Sequence, residues 1–234
     1  MNKQFDRLIP LIGEESLKKL HNSNIIVFGV GGVGGNLVEA LVRSGIGKIT
    51  IVDGDVVEES NINRQLVATI STVGKSKVEV LKNRLIDINS ECEVTAINKF
   101  YLPSNKDEFD LSKYDYIVDA IDNVSAKIEL ISVAEKINKP MISAMGAGNK
   151  LDPTKLEAAY LKDTSVDPLA KVLRHELAKR NINYNLKVVY SKEQPIKVDI
   201  KDDKRRGTTG STSFVPPVMG LIMAGEVIKD LIKQ

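Results

Sequence analysis

The sequence predicts an α/β fold: a Rossmann-like, doubly wound and mainly parallel sheet, with antiparallel strands added in its second half. Three observations carry that expectation. Apolar runs of strand length alternate with amphipathic segments of helix length as far as Ala144, the pattern of successive βαβ units. The first run, Ile25-Ile26-Val27-Phe28, stops in Gly29-Val30-Gly31-Gly32-Val33-Gly34-Gly35 and turns amphipathic from Asn36 to Ser44. The second, Lys48 to Val52, ends in Asp53, at the spacing where a carboxylate meets ribose hydroxyls in dinucleotide-type folds.

The glycine stretch reads as strand, tight turn and helix. Gly29 permits the sharp turn, Gly31 and Gly32 sit where backbone N–H groups can approach a phosphate, and Gly34 lets helix and strand pack closely. The helix N-terminus then faces an anion. A glycine-rich turn without a ligand is the bland alternative, and the flanking strand and helix argue against it.

The remaining elements follow in order. Apolar positions Leu8, Ile9, Ile12, Leu17 and Leu20 lie between charges and suggest one or two short helices that cap the sheet or meet a partner. Asp53-Gly54-Asp55 leads to the amide-rich run Asn61-Ile62-Asn63-Arg64-Gln65. That run has no period and reads as a loop at the carboxyl end of the second strand, where ligands bind in such sheets. Lys75 to Asn89 forms a helix with Val78, Leu81, Leu85 and Ile88 on one face. Lys77, in its first turn, opposes the helix dipole and so is not there for helix stability; a lysine reaching into water is the alternative.

Glu93 to Asn98 and Tyr116 to Ala120 are the third and fourth strands, separated by the polar segment Leu102 to Lys113. The fourth ends in Asp119-Ala120-Ile121-Asp122-Asn123; acids at that edge call for a ligand, a metal or a helix cap, and Asp122 is the candidate cap for a helix from Ser125 to Asn138. Met141 to Ala144 is a fifth strand, ended by Gly146-Ala147-Gly148. Leu156 to Leu161 is expected as an antiparallel strand, Asp167-Pro168 starts a helix to about Arg180, and Lys187 to Tyr190 is a further strand. Ser191 to Gly210 reads as a mobile charged loop, and Val218 to Lys233 as a closing helix. His21, in a polar turn, and His175 have no partner at useful spacing and read as structural or solvated.

Composition sets the outer limits. A chain of 234 residues, 42% hydrophobic and 27% charged, can bury one substantial core, and a single domain over 1–234 is expected. A formal net charge of +2 marks no general nucleic-acid binder, though a local basic segment can still matter. No apolar run reaches membrane-spanning length and Met1 to Asp6 holds no apolar signal core, so a cytoplasmic protein without a membrane partner is expected. Cys92 is the single cysteine, which excludes internal disulfides and zinc sites built from several cysteines. It lies between Glu91 and Glu93, whose charge disfavours the reactive thiolate.

A glycine turn with a ribose carboxylate suits NAD, ATP or flavin equally. Asn61, Arg64, Lys77 and Asp122 decide among them, because they put two cations, an amide and an acid beside the turn. Hydride transfer has no use for two cations on the phosphates, whereas displacement of pyrophosphate builds charge on phosphate oxygens. Asp122 is then the residue to hold magnesium. Nucleotidyl transfer from ATP is the chemistry that fits.

The same stretches, together with Ile51-Val52-Asp53-Gly54-Asp55, Val73-Gly74-Lys75-Ser76-Lys77 and Pro216 to Lys229, resemble the ThiF/MoeB/HesA-like, ubiquitin-activating-like adenylating superfamily over nearly the whole chain. That resemblance implies that Asp53, with Asp55 and Asn123 in the matching motifs, serves the nucleotide, that Asn61, Arg64 and Lys77 contact the triphosphate, and that Asp122 binds Mg2+. It also implies that Arg7 reaches ATP phosphates, often across a homodimer interface. Members that activate sulfur-carrier proteins commonly hold two Cys-x-x-Cys pairs and a nucleophilic cysteine, and this chain has neither. Asn61 to Gln65, Ile88 to Cys92, Gly146 to Gly148, Leu151-Asp152-Pro153-Thr154 and Asp167-Pro168-Leu169-Ala170 resemble the tRNA threonylcarbamoyladenosine dehydratases. The resemblance implies adenylation of a threonylcarbamoyl carboxylate on tRNA followed by cyclisation, with a sulfur-transfer protein as a further partner. The alternative is an adenylyltransferase that activates the C-terminus of a ubiquitin-like sulfur-carrier protein. The basic loop Lys187 to Arg206 would suit a tRNA backbone, against solvated charge as the other reading.

Overall fold

The computed structural model describes residues 3–197 and 209–233. Its strands are β1 (Asn24–Phe28), β2 (Lys48–Val52), β3 (Glu93–Ile97), β4 (Tyr116–Asp119), β5 (Met141–Ala144), β6 (Leu156–Tyr160) and β7 (Lys187–Ser191). They form one seven-stranded sheet in the order β3-β2-β1-β4-β5-β7-β6. Every pairing is parallel except the last, in which β6 runs antiparallel to β7 with Ala158 opposite Val189.

The helices are α1 (Ile9–Asn22), α2 (Gly34–Arg43), α3 (Lys77–Ile88), α4 (Val124–Lys136), α5 (Pro168–Lys179) and α6 (Val215–Lys233). They cover both faces, so a central strand must be apolar on both. In β1, Ile25 and Val27 enter one core with Leu37, Leu41 and Met223, while Ile26 and Phe28 enter the other with Ile117, Ile128 and Leu173. This period of two inside an unbroken apolar run is what identifies a strand buried on both sides.

Close backbone approach sets the first unit. Gly29 takes φ +86, and a Cβ on Gly34 would lie 1.9 Å from the Gly29 carbonyl oxygen, so α2 starts two residues earlier than Asn36. On the outer side of α2, a Cβ on Gly220 of α6 would stand 2.3 Å from the Val33 carbonyl oxygen. The two helices meet through that glycine, and Met219, Met223, Val227 and Leu231 bury a stripe along α6. Each such side chain contributes about 1.5–3 kcal/mol by leaving water.

Several boundaries differ from expectation, each for a local reason. Helix α6 begins at Val215 and takes Pro216 and Pro217 into its first turn, where a missing N–H costs no helical bond. Helix α3 begins at Lys77, because Gly74 to Lys77 is tied to the 55–57 segment: Val57 N–H donates to Lys75 O (2.8 Å) and Lys77 N–H to Asp55 O (3.1 Å). Helix α1 carries a break at Gly13, with φ 81 and ψ 160, and His21 sits in its last turn. The cap of α4 is Asn123, whose Oδ1 accepts from Ala126 N–H at 3.0 Å, in place of Asp122.

Of the two roles expected for the amino-terminal segment, packing within its own fold is the one observed. Leu20 is fully buried, Ile12 packs on the same core, and Lys19 Nζ reaches Ile232 O at the end of α6. An unpartnered apolar segment therefore gives no ground for a dimer. Most of the charged loop expected from Ser191 to Gly210 lies outside the described residues, as do Lys201, Lys204, Arg205 and Arg206. The described beginning of the basic segment Lys187 to Arg206 is less basic than the sequence suggests: Lys187 pairs with Asp230 (2.6 Å) and Glu226 (3.2 Å), and Lys192 with Glu157 (2.6 Å).

Candidate active site

The carboxyl ends of β1, β2, β4 and β5 border a cleft of ≈ 670 Å³, where open α/β sheets bind ligands. One wall is the glycine turn, with Gly29, Gly31 and Gly32; Asp53 and Asp55 follow β2; Asn61, Arg64 and Lys77 come from the loop and helix beyond; Asp122 and Asn123 follow β4. Two predicted positions lie elsewhere. Gly34 is buried beneath the turn and serves packing. Arg7 is exposed and stays off the cleft wall. Its neighbours place it at the opposite edge of the sheet: the Phe5 ring lies 3.5 Å from where a Gly45 Cβ would be, and Gln4 Nε2 donates to Ile88 O at 2.9 Å.

Hydrogen bonds fix the polar groups. Asp53 accepts Val30 N–H on Oδ2 and Asp55 N–H on Oδ1, both at 2.8 Å, so each oxygen keeps a lone pair for a ligand. Burial pushes the Asp53 carboxyl above the ordinary aspartate range, opposed by those two N–H groups and by the Lys77 charge. Lys77 does not extend into water. Its side chain is 6% exposed and its Nζ meets Asp55 Oδ2 at 2.7 Å. Asn61 Oδ1 accepts Glu58 N–H at 3.1 Å, and Arg64 donates to Ser60 O and Asn63 Oδ1, both at 2.9 Å. The amide-rich loop thus holds its own arginine beside the glycine turn.

The two acids after β4 have separate fates. Asp119 is fully buried and bonded to Lys127 Nζ (2.7 Å) and Ser143 Oγ (2.6 Å), while its Oδ1 accepts Ile121 N–H at 3.0 Å. It shapes the turn that presents Asp122. Asp122 itself is exposed on the cleft wall with no hydrogen-bond partner among the described residues.

Sequence reasoning missed several lining residues. Phe100, Tyr101 and Leu102 follow β3 and line the cleft with Gln65 and the Met145 to Gly148 strip. Tyr101 packs edge-on against Phe28, ring centroids 4.9 Å apart, and Gln65 Oε1 is buried without a partner. Adjacent aromatics just past a strand's carboxyl end, in a chain only 5% aromatic, were the available signal. Cys92 is buried below the sheet's far edge, and its thiol is pushed up to about 11, mainly by burial and then by the Glu93 charge. The direction is the one read from the sequence; the larger cause is different. Native protein at pH 8 is expected to leave Cys92 unalkylated by iodoacetamide over an hour, with full labelling in denaturant; rapid native labelling, read by mass spectrometry, would contradict this.

The ThiF family profile matches residues 5–234. The tRNA threonylcarbamoyladenosine dehydratase of Bacillus subtilis is 44% identical over 245 residues, which is 100% of this chain and 96% of that protein. Crystal structures of the E. coli tRNA N6-threonylcarbamoyladenosine dehydratase TcdA in complex with AMP and with ATP match with TM-scores of 0.91 and 0.90. Their identity is 32%, and the matches cover 99% of this chain and 94% of that one. A shorter match, 37% identical over 141 residues, joins 60% of this chain to 30% of the adenylyltransferase and sulfurtransferase MOCS3-1 of Zea mays.

Proposed function

This chain belongs to the ThiF family, and from that premise we propose that it is an ATP-dependent tRNA threonylcarbamoyladenosine dehydratase. The choice within the family rests on the extent of likeness. Similarity to a dehydratase runs over the whole chain, including the half that carries Leu151 to Thr154 and Asp167 to Ala170. Similarity to the adenylyltransferase and sulfurtransferase MOCS3-1 covers 60% of it.

The cleft supplies what the reaction needs. The glycine turn and the α2 N-terminus receive phosphate, Asp53 holds the ribose hydroxyls, and Asn61, Arg64 and Lys77 take the triphosphate oxygens as charge moves onto pyrophosphate. Asp122 fits a magnesium ion: it is one uncommitted carboxylate, which suits a cation that keeps waters and phosphate oxygens as its other ligands. Bound there, the ion would neutralise phosphate charge. A carboxylate oxygen of the threonylcarbamoyl group attacks the α-phosphorus and pyrophosphate leaves with the broken P–O bond. The carbamoyl group then adds to the activated carbonyl carbon and AMP departs. No enzyme thiol is needed, because the nucleophile belongs to the substrate and is already near its target.

In this reading the chain is a single adenylating domain acting in the cytoplasm, with tRNA as its macromolecular substrate and a sulfur-transfer protein as a further partner. It works as a homodimer, the commonest closed assembly. Arg7, remote from its own cleft, then serves the cleft of a second copy. Among the described residues no helix is long and apolar enough to cross a membrane.

Incubation of the protein with ATP and threonylcarbamoyladenosine-modified tRNA is expected to yield a nucleoside lighter by one water, read by mass spectrometry after gentle hydrolysis. Cys92→Ser should do so at close to the wild-type rate. An unchanged nucleoside, with pyrophosphate exchange that appears only on adding a ubiquitin-like carrier, would replace this reading with the carrier-activating one.

A further inference from the structure

Lys150 and Asp167 form an ion pair that the chemistry above does not use. Their side chains are 1% and 0% exposed, with Nζ 3.2 Å from Oδ2. A pair buried this deeply adds little stability over apolar side chains of the same volume, so what else it touches is informative. Both partners grip one residue. Asp167 Oδ2 accepts Gly146 N–H at 3.2 Å, and Lys150 Nζ donates to Gly146 O. Asp167 Oδ1 meanwhile caps α5 through Ala170 N–H at 3.0 Å.

That grip orients the next peptide. No peptide bond in the described chain is cis, and in a trans peptide the C=O and the following N–H point in opposite directions. With the Gly146 carbonyl drawn toward the buried amine, Ala147 N–H points away from it. Ala147 lines the cleft, as does Gly148. Neither Ala147 N–H nor Gly148 N–H has a hydrogen-bond partner among the described residues. Unpaired backbone donors on a cleft wall are available to an oxyanion.

We propose that the Ala147 and Gly148 N–H groups bind the acyl carboxylate of the substrate and stabilise its oxyanion during ring closure, with Lys150 and Asp167 as positioning residues. The proposal rests on the adenylating function above. In the first step the carboxylate oxygen that does not attack phosphorus stays on these donors. In the second, a bond forms between the carbamoyl group and the carbonyl carbon, and negative charge collects on that same oxygen. The carbon's bond to AMP then breaks, AMP takes the electron pair, and the carbamoyl nitrogen passes its proton to solvent water. The site thus accepts a carboxylate in the ground state and an alkoxide in the transition state.

Ala147→Pro deletes one donor and adds no new Cβ. ATP affinity by calorimetry is expected to stay within about twofold, while AMP release with modified tRNA falls about 100-fold, the effect of losing one oxyanion donor. Lys150→Met should raise the KM for modified tRNA and lower kcat, with the KM for ATP unmoved; Lys150→Arg should recover part of both. An AMP-release rate within about threefold of wild type for a folded Ala147→Pro protein would overturn the proposal. Absence of AMP release by the wild type would instead overturn the functional reading.

If the substituted proteins do not fold, amide NMR of the unaltered protein decides. Threonylcarbamoyladenosine, added with a non-hydrolysable ATP analogue, should move the Ala147 and Gly148 amide protons downfield. Its carboxyl methyl ester should not. Equal shifts with both, or none with either, would sink the proposal.

Discussion

Lys77→Met is expected to reduce adenylate formation by about 100- to 1000-fold, the loss of roughly 3–4 kcal/mol of transition-state stabilisation that follows removal of one preorganised electrostatic donor. Methionine keeps the buried stem and deletes only the ammonium. Stability should move little. The carboxylate left behind, Asp55, is 51% exposed and keeps its water, and a pair with one partner that open contributes about 1 kcal/mol or less. Single-turnover AMP release and a urea titration on the same preparation separate the two quantities. Near-normal AMP release, or a collapse of the urea midpoint, would remove Lys77 from the phosphate-binding set.

Lys127→Met should show the reverse pattern, with the larger effect on the fold. Lys127 and Asp119 are both 0% exposed and 2.7 Å apart. Removing the amine leaves a carboxylate deep in the sheet with Ser143 Oγ and Ile121 N–H as its remaining partners. Breaking a buried pair from one side costs about 3–5 kcal/mol, a large share of a domain stability of about 5–15 kcal/mol. Adding Asp119→Asn to Lys127→Met should recover part of that loss, because the residual charge disappears. A single variant within about 1 kcal/mol of wild type would show that the pair is not coupled as its geometry demands.

These two lysines also show what a sequence can reveal. Lys77 stood out because a cation in a helix's first turn opposes the dipole, a local conflict visible without coordinates. Lys127, the fourth residue of α4, makes the same conflict with the dipole, but nothing beside it in the chain marks a partner; only the sheet beneath it, where Ser143 and Asp119 converge, gives it a purpose. The strands were legible because apolar runs punctuated by glycine and proline leave few alternatives, and the turn after β1 because its spacing is tied to a strand and a helix. Pairings across the fold were not: Lys187 with Asp230, and Lys150 with Asp167. The choice of Asn123 over Asp122 as the α4 cap was hidden for a smaller reason, since adjacent polar residues compete for one position and a one-residue shift decides it. Phe100 to Leu102 escaped because a loop has no period to betray which side chains turn inward.

The approach of Gly34 to Gly29 and of Gly220 to Val33 has a meaning for genetics. At those two positions a single methyl group has nowhere to go: it would sit 1.9 Å and 2.3 Å from carbonyl oxygens that belong to the backbone. In a saturation screen for growth, alanine alleles there would be scored with the null alleles, beside substitutions of Lys77. Yet neither glycine carries a functional group, and their loss would deplete the protein instead of stalling it. Abundance scored in parallel with activity would divide the inactive alleles into two classes, one missing from the cell and one present but unable to make AMP.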